Sequence, residues 1–118
     1  MRRDPSKYRA RRTTLDGIEF ASAKEARHYA ELKLRERAGE IRDLVLQPVF
    51  ELQEGFIFDG KSVRPVTYRA DFQYFDVKLK KDVVVDVKGF KTPEYKLKRK
   101  LFLFRFVYTP PYLWFIEV

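Results

Sequence analysis

The sequence predicts an α/β domain with a mixed four-stranded sheet flanked by helices, in the order α-β-β-β-α-β. Three observations carry that expectation. A capped helical stretch lies between Ser22 and Gly39. Two strand-like runs, VTYRADFQYF and VVVDVKG, are joined by the charged turn DVKLKKD. A second capped helix opens at Thr92-Pro93 and leads, past a helix-breaking TPP, to the apolar segment YLWFIEV.

Taken in order, residues 1–14 hold six Lys/Arg, one Asp and little that would enter a core. They read as a basic flexible arm ahead of a single domain over residues 15–118. Arg2, Arg3, Arg11 and Arg12 would lie along a phosphate backbone; a solvated tail would look the same. In FASAKEARHYAELKLRERAGE, Ser22 and Glu25 make an S-x-x-E capping box. Ala26, Ala30 and Leu34 recur on one face, and Gly39 is a natural stop, so a helix is expected from about Ala23 to Ala38.

IRDLVLQPVFEL is extended, with Pro48 marking an edge or a kink. QEGFIFDGKSVRP reads as a loop or loose hairpin, with turn signals at Glu54-Gly55 and Asp59-Gly60. Its Phe56, Ile57 and Phe58 either pack beneath the loop or form part of a partner surface. In VTYRADFQYF, Tyr68, Ala70, Phe72 and Tyr74 alternate with Arg69, Asp71 and Gln73. In the next strand, Val83, Val85 and Val87 share one face, while Val84, Asp86 and Lys88 share the other. The two strands suit an antiparallel hairpin. In the last helix, Leu97, Leu101 and Phe104 form the expected buried stripe, and YLWFIEV the final buried strand.

Composition narrows the function. A net charge of +8 and 36% charged residues favour contact with polyanions, nucleic acid first. The absence of cysteine excludes disulfides, thiolate zinc sites and a cysteine nucleophile, and fits a reducing cytoplasm. No apolar run approaches the roughly 18 residues of a membrane span, and no apolar segment follows the basic N-terminus as in a secretory signal. No membrane partner and no small-molecule cofactor are expected.

The chemistry concentrates where the valine run ends. Asp86 and Lys88, two apart on a strand, project from one face. A hairpin loop with an even residue count brings Asp71 to that same face. Two close carboxylates repel, and a divalent cation removes the conflict. Magnesium takes hard oxygen ligands, often one or two carboxylates with waters and substrate phosphates, and makes a water more acidic. Lys88 would orient that water or neutralise charge on a phosphate. The same residues would also serve as a salt network at the sheet's edge, with Gly89 ending the strand. Lys91, Lys96 and Lys100 form a basic row beside the site, suited to a DNA backbone or simply to solvent. Gln47 is placed to face the site from the first strand. His28 reads as a core-flanking or solvated histidine rather than a general base.

RADF followed by VVVDVKG, in this element order, resembles the PD-(D/E)xK nuclease superfamily. The longer wording YRADFQYFD…VVVDVKGFKTPEYKLKRKLF is similar to a group of small phage-associated nuclease-like proteins, and in plan to Holliday junction resolvases. The resemblance implies a restriction-endonuclease-like core over residues 15–118. It implies Asp71 and Asp86 as metal ligands, Lys88 as the catalytic lysine, and Glu25 from the first helix as a further ligand. Glu25 is also the capping-box residue, and the two roles compete. Two departures stand out: Ala70 takes the place of the motif's proline, and the second acid is Asp rather than Glu.

The expected function is thus a Mg2+- or Mn2+-dependent DNA endonuclease, structure-specific on branched DNA in the manner the resemblance implies. Symmetric cutting of two strands implies a homodimer. The expected location is cytoplasmic, in the bacterial host if the chain is phage-encoded. The alternative is a non-catalytic nucleic-acid-binding module, or an interaction subunit of a phage replication or recombination complex.

Overall fold

The valine run is covered from both sides. In the computed structural model, which describes residues 12–87 and 91–118, Val83, Val84 and Val85 are all almost fully buried. They lie on β9 (Lys81–Asp86), in a four-stranded sheet of order β10-β9-β8-β3. The other strands are β3 (Ile41–Leu46), β8 (Phe72–Asp76) and β10 (Trp114–Glu117). β9 pairs antiparallel with β8 and parallel with β10, so the sheet is mixed.

One face is closed by α1 (Ala23–Arg37): Val83, Val85, Phe72 and Tyr74 pack with Ala26, Tyr29 and Leu32. The other is closed by α2 (Pro93–Phe102): Val84 packs with Tyr68, Leu52, Phe102 and Leu113. A strand buried on both faces reads as a continuous apolar run rather than an alternation. Each such side chain contributes about 1.5–3 kcal/mol over leaving it exposed.

Both helix starts form as expected. Ser22 Oγ accepts the Glu25 N–H at 3.0 Å, and Thr92 Oγ1 accepts the Tyr95 N–H at 3.0 Å, with Pro93 in the first turn. The β8–β9 hairpin also forms. Asp76 pairs with Lys81, leaving the even, four-residue loop 77–80 that sets the register of the acids.

Several expectations are corrected. Thr13 and Thr14 belong not to the arm but to β1 (Thr13–Leu15), which pairs with β2 (Ile18–Phe20). Asp16 and Gly17 both take positive φ, as a two-residue hairpin turn requires. The buried face of α1 is Ala26, Tyr29 and Leu32; Leu34 is exposed because the stripe follows the helix's contact with β3.

The strand VTYRADFQYF is broken. β7 (Val66–Arg69) pairs with β4 (Val49–Gln53), and β8 pairs with β3. The break falls at Ala70-Asp71, opposite Gln47-Pro48, where Gln47 takes a positive φ and Pro48 has no N–H to donate. Tyr68 and Ala70 therefore pack on the α2 side, Phe72 and Tyr74 on the α1 side, and the four do not share a face.

Beyond this break, β5 (Phe56–Phe58) and β6 (Lys61–Val63) form a hairpin around Asp59-Gly60. Phe56, Ile57 and Phe58 are exposed there and do not pack beneath a loop. α2 runs on into a π-helical segment, Leu103–Tyr108. Leu97, Leu101 and Phe104 are exposed, because Tyr95, Phe102 and Phe106 supply the face that meets Phe50 and Tyr68. β10 is an edge strand with Trp114 and Ile116 partly exposed, not a fully buried one.

Candidate active site

Asp71 and Asp86 meet where the sheet ends. The β8–β9 pairing sets Phe72 opposite Val85, and the Asp71 N–H still donates to the Val85 carbonyl at 3.0 Å. That bond is out of step with the ladder, which ends at Phe72 and Val85, and it leaves Asp71 beside Asp86. The Asp71 carboxyl accepts the Val87 N–H through Oδ2 at 2.6 Å and lies within hydrogen-bonding reach of Asp86. Burial pushes its pKa up to about 7. The Val87 N–H opposes that shift; Asp86 and the charge of Glu25 reinforce it.

Glu25 is buried at the start of α1, with its backbone N–H held by Ser22. Its side chain lines a cavity of about 190 Å³ shared with Asp71, Gln47, Leu46, Ile18, Glu19 and Phe20. Glu25 thus stands both in the capping turn, through its backbone N–H, and in the cavity wall. Gln47 lies in the same wall, as its place before Pro48 led us to expect.

Asp86 is 3% exposed. The buried hydroxyl of Tyr68 donates to its Oδ2. Burial, then that bond, raise the Tyr68 pKa well above the ordinary phenol range, so the hydroxyl stays a donor. Tyr95 lies nearby and is raised too, by burial and then by its hydrogen bond to Glu117. Glu117 is depressed: burial opposes this, but Arg99 at 2.9 Å and Tyr95 outweigh it. Arg99 is thereby committed to the fold.

Asp71 and Glu25 bring carboxylates to the cavity and Asp86 lies behind Asp71, oxygen donors of the type a hard divalent cation takes. Among the described residues, no group of three His, Cys, Asp or Glu side chains is arranged to hold a metal ion. The pair that would hold one is Asp71 and Asp86, with Glu25 facing the same space.

A family model matches residues 5–116. The chain belongs to that family, described as protein of unknown function (DUF1064). No curated protein and no solved structure matches it.

The remaining expected site residues of this DUF1064 chain fall in different places. Lys88 lies outside the described residues, as do Arg2, Arg3 and Arg11. Arg12 is paired with Glu19, at the rim of the cavity. Lys91, Lys96 and Lys100 are exposed, the last two one turn apart on α2. His28 is half-buried against Phe72, its rings 5.6 Å apart, and burial lowers its pKa, which suits a core-flanking residue. Tyr68 was missed in the sequence because strict alternation set it on the face away from Asp71; only the kink brings it to Asp86. No helix among the described residues is long and apolar enough to cross a membrane.

Proposed function

We propose that this chain is a metal-dependent DNA endonuclease built on a restriction-endonuclease-like core, with branched DNA as its substrate and a two-fold homodimer as its working form. The observation that carries the proposal is the carboxyl of Asp71, held near pKa 7 beside Asp86 and Glu25 at an open cavity. Crowded carboxylates repel at neutral pH, and a bound cation relieves that repulsion where a proton otherwise would.

Asp71 and Asp86 would bind Mg2+ or Mn2+, with Glu25 facing it from α1. Such a cation supplies charge stabilisation for a phosphodiester and a more acidic water. The Val87 N–H fixes the Asp71 carboxyl, and the Tyr68 hydroxyl fixes that of Asp86. Lys88 would neutralise charge gathering on the phosphate. Lys91, Lys96 and Lys100 would hold the flanking DNA backbone.

The test is incubation with labelled four-way junction, flap and duplex DNA, with and without Mg2+ or Mn2+. Metal-dependent cutting that disappears in Asp86→Asn and Lys88→Ala supports the enzyme. Retarded mobility with no cutting in either metal assigns the chain instead to non-catalytic binding of nucleic acid.

A further inference from the structure

We infer that Gln47 is the phosphate-holding residue of this site: its side-chain amide donates a hydrogen bond to an oxygen of a phosphodiester bound beside the cation. The inference rests on the proposed cation site and gives Gln47 a role there.

Backbone geometry singles the residue out. Gln47 takes a φ of 52° in the link between β3 and β4. Glycine enters left-handed backbone freely and Asn or Asp with some ease; Gln has neither advantage. Asp16 and Asp59 also take positive φ, but each sits beside a glycine in a hairpin turn that calls for it. Gln47 closes no hairpin, since β3 pairs with β8 and β4 with β7. Two backbone bonds hold it in place. The Gln47 N–H donates to the Asp71 carbonyl at 2.9 Å, and the Ala70 N–H to the Pro48 carbonyl at 3.0 Å. The side chains of Gln47 and Asp71 then stand in the wall of one cavity with Glu25. Strained backbone under a side chain that lines a candidate site points to a use for that side chain.

The chemistry of the wall supplies the use. Ile18, Phe20 and Leu46 are apolar, and the acids Glu19, Glu25 and Asp71 only accept hydrogen bonds when ionised. Among the described residues lining the cavity, Gln47 is the one whose side chain carries N–H groups. A divalent cation held by carboxylates completes its shell with waters and phosphate oxygens. A phosphate bound there has further oxygens turned away from the cation, and these call for a donor. Gln47 provides one without adding charge. The acids also set an order. Asp71 and Glu25 repel a phosphate until a cation stands between them, so Gln47 engages the phosphate only once the cation is bound.

The test reads binding rather than cutting. The probe is a thymidine dinucleotide, which carries a single phosphodiester. With the full chain in excess over Mn2+, paramagnetic broadening of the dinucleotide's phosphorus resonance reports phosphate held beside the cation, and its titration gives a dissociation constant. Gln47→Gly removes the amide and suits the left-handed backbone. Its phosphate dissociation constant should rise at least about tenfold, the scale of a lost hydrogen bond to a charged group. Its Mn2+ dissociation constant should match the wild type, and its thermal midpoint should hold or rise. Gln47→Glu keeps the shape, loses the donor and adds a repelling charge, so it should lose more; it makes the same comparison should glycine unsettle the fold.

Phosphate binding by both variants equal to the wild type would overturn the inference. An equal loss of Mn2+ affinity in Gln47→Gly would overturn it too, by making Gln47 a cation ligand. So would a wild type whose bound Mn2+ leaves the dinucleotide unbroadened. The nuclease reading fails separately. Dinucleotide held through Gln47 by a chain that cuts no DNA keeps the inference and sinks the nuclease. Metal-dependent cutting by a chain whose Gln47 variants bind phosphate normally does the reverse.

Discussion

The two ends of β8 both carry a half-buried or buried aspartate, and their surroundings are opposite. At one end, Asp76 meets Arg35 at 3.2 Å through Oδ2 and accepts the Leu79 N–H at 2.9 Å through Oδ1. Arg35 in turn bonds Glu40 at 3.2 Å and lies over the Tyr74 ring. That acid is satisfied, and it closes the turn into β9. At the other end, Asp71 accepts the Val87 N–H but faces the carboxyls of Asp86 and Glu25, and burial, reinforced by those acids, raises its pKa to about 7. A structural acid is given a cation by its own fold. Under the proposed function, Asp71 would take its cation from solution.

The largest expected contrast is in catalysis. Asp71→Asn and Asp86→Asn should each lower metal-dependent cleavage by about 10²–10³-fold, the scale on which aimed electrostatic stabilisation is lost. Asp76→Asn should leave the rate per folded molecule unchanged. Equal losses at both ends of β8 would erase the distinction. A smaller effect is expected from Tyr68→Phe, which keeps the ring in its aromatic cluster but removes the donor to Asp86. Cation affinity should fall about 10–100-fold, as when a residue that orients a metal ligand is lost. Tyr95→Phe, which breaks the link to Glu117 instead, should do less.

Stability should run the other way. Asp76→Asn should cost about 1–3 kcal/mol in denaturant unfolding, because the Arg35 contact loses its counter-charge and the fold keeps the burial. Asp71→Asn, measured without metal, should cost nothing or stabilise, since the amide oxygen still accepts the Val87 N–H and a repelling charge is gone.

The smallest effect is in the pH dependence. The folded-state pKa of Asp71, about 7, lies above its unfolded value of 3.8. The folded chain therefore binds the proton more tightly. That contribution to stability is fully present below about pH 4 and is lost as pH rises through about 7. In chelator, the wild-type denaturation midpoint should fall between pH 5 and pH 8 more steeply than that of Asp71→Asn. A saturating divalent cation should flatten the difference. Parallel pH profiles for the two proteins would place the charge conflict elsewhere.

Much of this site was legible in the sequence, for local reasons. A strand of valines ending in Asp-x-Lys and a preceding Asp marked the two acids, but the parity that decides whether they meet was left open by the charged turn, and the four-residue loop 77–80 supplies it. Ser22 and Thr92 announced their helices through short-range hydrogen bonds. What stayed hidden was set by contacts distant in sequence. The kink at Ala70-Asp71 is imposed across the ladder by Gln47 and Pro48, so alternation within the strand could not show it. Tyr68 was concealed for the same reason. On α2, periodicity showed an apolar stripe at Leu97, Leu101 and Phe104, and Tyr95, Phe102 and Phe106 make a second. Which one the sheet covers depends on where Phe50 and Tyr68 stand. The β1–β2 hairpin was readable from Asp16-Gly17 but lay against a basic arm that drew the boundary too late.

The most direct measurement is thermal unfolding at pH 8 with increasing Mn2+, for the wild type, Asp71→Asn and Asp76→Asn. A cation bound at Asp71 and Asp86 should raise the wild-type midpoint progressively, the unfolding free energy gaining about 2.7 kcal/mol at a hundredfold excess over the dissociation constant. Asp76→Asn should start lower and gain as much, while Asp71→Asn should gain little. A wild-type midpoint that ignores Mn2+, or one that rises equally in Asp71→Asn, would contradict a cation site at this end of the sheet.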